Sequence, residues 1–167
     1  MKIRTIVFTL AVCFIGTTLC VAQKGFMGTW KLNEAKSKLA PGVAKNSTVV
    51  YEPSGDSVKV TIEGTDASGN PTHNEWTGKF DGNDYPVTGD PNSDTRSVEV
   101  RNAHHLAFKV KKGGKVTASG AIYLSPDRRS RTVDSTTKDA QGKKVKSTAV
   151  YDSANGRAAA SSGRDSI

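Results

Sequence analysis

The side chains best suited to proton transfer or metal binding are few. They are His73, His104 and His105, and the aspartates Asp81, Asp84, Asp90 and Asp94. Adjacent strand residues point to opposite faces, so His104 and His105 can share a site only within a turn. Asn102-Ala103-His104-His105 separates two strand patterns and is such a candidate turn. A metal would still need a third ligand, from His73 or an Asp. The four aspartates do not follow the alternating spacing of a calcium loop, and aspartates in such stretches more often cap turns. An acid–base enzyme would have to use a pair such as Asp84 and His105. No Gly-x-Ser-x-Gly, Walker loop, His-Glu-x-x-His or cysteine nucleophile accompanies them. The chain is therefore expected to be non-catalytic, with no metal and no cofactor.

Noncovalent chemistry fits the residues better. Trp30, Trp76, Phe80, Tyr85 and Phe108 are the candidate ligand-binding residues. Trp76 and Phe80 share a strand face and precede the irregular segment Asp81 to Asp94, which carries Tyr85. A long irregular loop at a barrel rim is a candidate ligand entrance, and the three aromatics are expected to face it. Faces such as Val133-Ser135-Thr137 and Val145-Ser147-Ala149 carry small or polar residues. They fit either a partly polar cavity or a slender barrel filled by aromatics.

These residues need a scaffold, and the sequence supplies one after a leader. Lys2 and Arg4, the apolar run Ile6 to Ile15, and Cys20-Val21-Ala22 read as a signal peptide over residues 1–22. Cleavage near Ala22 would deliver a secreted or periplasmic protein. Both cysteines, Cys13 and Cys20, lie in the leader, so the exported chain has no disulfide. Of the 24 basic residues the leader holds two, and it holds none of the 16 acids, which leaves +6 on the exported chain. That charge favours solubility or weak attraction to an anionic envelope surface. The basic residues are dispersed, and nucleic acid is not expected as a partner.

From Thr48 the chain reads strand, turn, strand. Val58, Val60 and Ile62 alternate with Lys59, Thr61 and Glu63, and later runs repeat the pattern. Gly78, between Trp76 and Phe80, signals a bend or a close backbone approach. Asp66-Ala67-Ser68-Gly69 and Asp139-Ala140-Gln141-Gly142 are similar, which reads as an internal duplication or, preferably, as one hairpin solution used twice. Helical periodicity is lacking after Leu39. The fold class is all-β: eight to ten antiparallel strands in an up-and-down meander, closed into a barrel to hide its edges, with a sandwich as the alternative. The domain is expected over residues 23–152, as a monomer, with a disordered tail over 153–167.

Gly28-Thr29-Trp30, at the head of this β-rich chain, resembles the first-strand motif of lipocalins, and Gly28-Thr29-Trp30-Lys31-Leu32 is similar to the start of intracellular fatty-acid-binding proteins. The resemblance implies a lipocalin-like barrel of the calycin group with Trp30 closing one end. It also implies a basic side chain from a late strand over that ring, for which Arg131 and Lys144 are the candidates. The segment after Leu32 departs from fatty-acid-binding proteins, since Pro41-Gly42 leaves room for a short turn and not for two helices. Their carboxylate clamp, an Arg two residues before a Tyr in the final strand, is also missing, because Ala149 precedes Tyr151 at that distance. The resulting expectation is an exported barrel that binds a small hydrophobic or amphipathic molecule. The alternative is a filled barrel that acts through its basic surface on anionic surfaces.

Overall fold

The computed structural model describes residues 21–139 and 141–154. Nearly all of the expected leader, with Cys13 and Cys20, and all but the first two residues of the expected tail lie outside them.

Among the described residues, ten strands close into an antiparallel barrel in which every strand pairs with its sequence neighbours. They are β1 (Gly28–Leu32), β2 (Lys45–Ser54), β3 (Ser57–Thr65), β4 (Pro71–Gly78) and β5 (Tyr85–Thr88), then β6 (Thr95–Asn102), β7 (His105–Lys112), β8 (Lys115–Leu124), β9 (Ser130–Lys138) and β10 (Lys144–Ser153). β1 completes the ring by pairing with both ends of the meander: Trp30 lies opposite Val49 of β2 and Ser153 of β10. Among the described residues this closure leaves no sheet edge unpaired.

Period-two alternation decides what faces inward. Cross-strand partners share a face, so register joins apolar residues into rows. One row runs Tyr51, Val60, Trp76, Val87 across β2 to β5. Another runs Leu106, Ile122, Val133, Ala149 across β7 to β10. The outer face carries ion pairs such as Lys59 with Glu75 (2.7 Å).

The segment Asp81 to Asp94 is less irregular than its composition suggests. It contains β5, whose four residues pair with β4 on one side and β6 on the other. Pro86 sits within this strand, and its neighbour Val87 donates its backbone N–H to Asp94. A strand this short, with a proline inside, leaves no alternation to read.

An up-and-down barrel places alternate connections at the same end. One end gathers the β1–β2, β3–β4, β5–β6, β7–β8 and β9–β10 connections. The other gathers the remaining turns and the start of β1. After Leu32 the β1–β2 connection forms only a 3₁₀ turn, Glu34–Lys36, capped by Asn33 Oδ1 accepting from the Lys36 N–H (3.2 Å).

The second end is plugged. A short helix, Val21–Lys24, leads into Phe26, whose carbonyl accepts the Trp30 indole N–H (2.9 Å). Phe26, Trp30, Val58 and Leu106 are essentially inaccessible there. Gly28 adopts φ +105°, a conformation that side chains rarely tolerate. That conformation accounts for the glycine two residues before the tryptophan.

Candidate functional site

The opposite half of the barrel is hollow. A cavity of about 750 Å³ lies inside it, and four of the five connections of that end contribute to its surround, through residues such as Val43, Ala67, Pro91 and Asp139, while Lys112 and Thr117 border it from the ends of β7 and β8. Two of these hairpins use one construction. Asp66 Oδ1 accepts the N–H groups of Ser68 and Asn70, and Asp139 Oδ1 accepts those of Gln141 and Lys143. This supports one hairpin solution used twice.

The walls are mostly apolar. Ile62, Val98, Phe108, Val110 and Val133 point in from four strands. Ser135, Thr137 and Ser147 add the polar stripe expected from the faces of β9 and β10. A barrel filled from end to end, one of the two expectations, does not hold. The small residues on these strands leave space that the aromatics do not occupy.

Two arginines interrupt this lining, in addition to Lys45, Lys112 and Lys138 near the open end. Arg131, on β9, forms the cavity floor. Its guanidinium carbon lies 5.1 Å from the Trp30 ring centroid, 4.9 Å from Tyr51 and 4.9 Å from Tyr151. Three electron-rich faces thus hold one buried charge. Among the described residues its Nε and Nη1 have no hydrogen-bond partner. This is the late-strand basic residue over Trp30 that the lipocalin resemblance implied. Desolvation pushes the Tyr151 phenol up to about 12, against the opposing pull of Arg131, and its hydroxyl donates to the Asn46 carbonyl (3.1 Å).

Arg96, on β6, is the second arginine and lies on the cavity wall. Its Nη2 donates to Asn74 Oδ1 on β4 (3.3 Å). Among the described residues no carboxylate stands within 4.0 Å of it. Desolvation presses its pKa below the ordinary arginine value, and Tyr51 and Asp90 only partly offset this from a distance. The Arg96 carbonyl accepts the Trp76 indole N–H (2.9 Å), which ties the aromatic wall to the strand that carries the charge.

The five aromatic candidates divide between the two halves. Trp76 and Phe108 line the cavity. Trp30 belongs to the plug. Phe80 and Tyr85 do not reach the cavity and instead back Trp76: Phe80 stacks on its ring (centroids 6.2 Å apart) and Tyr85 meets it edge-on (6.0 Å). Gly78 makes this possible, because a Cβ there would come within 2.5 Å of Trp76 and 2.6 Å of Tyr85. Only the far part of the Asp81 to Asp94 segment, at Asp90 to Asn92, reaches the cavity rim. The shared mouth expected for Trp76, Phe80 and Tyr85 therefore does not form.

The titratable candidates do not converge. Asp81 accepts the Asn83 N–H (2.9 Å) and the Tyr85 hydroxyl (2.8 Å), which holds its carboxyl below the usual range and raises the tyrosine. Asp84 pairs with Lys111, and Asp90 caps the turn at Asn92 and Ser93. His73 pairs with Glu63 on the outer face. His104 lies in the β6–β7 turn, and His105 stacks on Tyr123 (4.6 Å). Among the described residues no three His, Cys, Asp or Glu side chains form a metal-holding group.

Arg96 and Asn74 were not among the sequence candidates, although parity reaches both. Arg96 lies two residues before Val98, and Asn74 two before Trp76, so each falls on an inward face.

No family model matches this chain, and no curated protein matches it. Two solved structures are similar in outline. One, EF1p2_mFAP2b bound to DFHBI, aligns with a TM-score of 0.45 and 13% identity, over 79% of this chain and 96% of that one. The other, a redesigned β-barrel, mFAP1, bound to DFHBI, aligns with a TM-score of 0.44 and 18% identity, over 80% and 99% of the two chains.

Proposed function

We propose that this protein is an exported, non-catalytic, lipocalin-like barrel that holds a small hydrophobic or amphipathic molecule in its open half. The observation that carries this reading is the cavity of about 750 Å³. That volume falls within the roughly 300–1,000 Å³ of small-molecule sites, and its apolar walls with a few placed polar groups suit such a ligand. The lipocalin resemblance rests on Gly28-Thr29-Trp30 and on Arg131 over the indole. The ten strands exceed the eight of a lipocalin barrel, so the relationship concerns plan more than count. Export rests on the leader at residues 1–22.

Trp76 reports on the cavity directly. Titrating a chemically broad panel of hydrophobic compounds should give saturable quenching of tryptophan fluorescence for at least one class. The Trp76→Phe variant should lose that response and Trp30→Phe should keep it. A panel with no saturable response removes the reading.

A further inference from the structure

We propose that Arg96, held by Asn74, is the anchor for an anionic group, so that the cavity selects amphipathic monoanions, an apolar body ending in a carboxylate or sulfonate. This rests on the cavity being a binding site. Arg96 is half-buried, and a guanidinium withdrawn even partly from water without a carboxylate partner carries a cost. Arg96 has one neutral side-chain acceptor, Asn74 Oδ1 at 3.3 Å, and no carboxylate within 4.0 Å among the described residues. The polar residues on the facing walls, Ser135, Thr137 and Ser147, carry no charge, the floor adds a second guanidinium at Arg131, and Lys45, Lys112 and Lys138 add cations near the open end. The acids that contribute to the cavity, Asp66, Asp90 and Asp139, are bound into rim turns by their own backbone N–H contacts. The interior is thus apolar with net positive charge, which favours an anion and disfavours a cation. A guanidinium presents paired donors that match a carboxylate or sulfonate, and such bonds strengthen away from water.

The test uses two fluorescent probes that differ by one charged group: 8-anilinonaphthalene-1-sulfonate and its uncharged parent, N-phenyl-1-naphthylamine. Each is titrated into the folded, full-length protein at one site per barrel. The wild type should bind the sulfonate at least about tenfold more tightly, the scale of one charge-assisted hydrogen-bonded contact. Arg96→Gln should remove that preference. Asn74→Asp keeps the side-chain shape and gives Arg96 an internal carboxylate, so it should also weaken the sulfonate about tenfold while the neutral probe stays within about twofold. This second variant leaves no unpaired charge and guards against a misfolded Arg96 variant. Equal binding of both probes by the wild type overturns the anion assignment and leaves the cavity reading intact. Sulfonate affinity unchanged in both variants, or loss of both probes from both folded variants, overturns it as well. Failure of either probe to bind the wild type counts against the cavity reading itself.

Discussion

The two ends of the barrel are built from the same alternating strands and differ in what fills them. At the plugged end the inward residues are large: Phe26, Trp30, Val58 and Leu106 meet with almost no accessible surface. At the open end the same strands carry Ser135, Thr137, Ser147 and Ala149, and a cavity remains. A closed barrel of this kind needs bulky residues only where it must be sealed. Once hydrogen bonding has closed the ring and one end is packed, the other half can stay hollow. Each half contains an inward-facing arginine, Arg131 buried and Arg96 half-buried. Arg131 is enclosed by three aromatic rings, while Arg96 faces open space with one neutral side-chain partner. The first belongs to the closed core, and the second borders the cavity.

Breaking the plug should have the largest effect. Trp30→Ala removes the side chain that spans the closed end and uncovers Arg131. It is expected to cost about 3–5 kcal/mol, measured by urea unfolding. A loss under about 1 kcal/mol would show that the plug is not the main core.

Alkaline pH sharpens the same contrast. The fold raises the Tyr151 phenol from 10.0 to about 12. The folded protein therefore favours the neutral phenol. Its contribution is fully present below pH 10 and is lost as pH rises from 10 to 12, where the unfolded chain ionises first. Two pKa units correspond to about 2.7 kcal/mol. Urea midpoints should fall over this window, and Tyr151→Phe should flatten that part of the slope.

Changes in the hollow half should be mild for stability and severe for binding. Ala118 lines the cavity, and Ala118→Phe places a ring in existing space. Stability should shift by less than about 1.5 kcal/mol, because little well-packed structure is displaced. Binding of N-phenyl-1-naphthylamine should disappear. Retained binding would place the ligand elsewhere.

Much of this contrast is legible in the sequence. The alternation of Val58, Val60 and Ile62 specifies an inward face, and the meander follows from turns at regular intervals. Gly28-Thr29-Trp30 marks the plug, and Arg131 was reached through resemblance. β5 was hidden because four residues containing Pro86 carry no period. Phe80 and Tyr85 were assigned to a mouth because the Asp81 to Asp94 segment looked like one loop. In the fold that segment begins beside the backing of Trp76 and touches the rim only near Asp90. Arg96 and Asn74 were missed for another reason. Their parity was readable, but a polar residue on an apolar face looks like an interruption until the space beside it is known.

The most direct measurement follows the two indole N–H resonances in a ¹H–¹⁵N spectrum during titration with N-phenyl-1-naphthylamine. Trp76 lines the cavity and Trp30 is sealed in the plug against Phe26. The Trp76 signal should shift and saturate at one equivalent while the Trp30 signal stays in place. A Trp30 shift with Trp76 unmoved, or two signals unchanged through saturating probe, would contradict the division of the barrel into a sealed end and a receptive one.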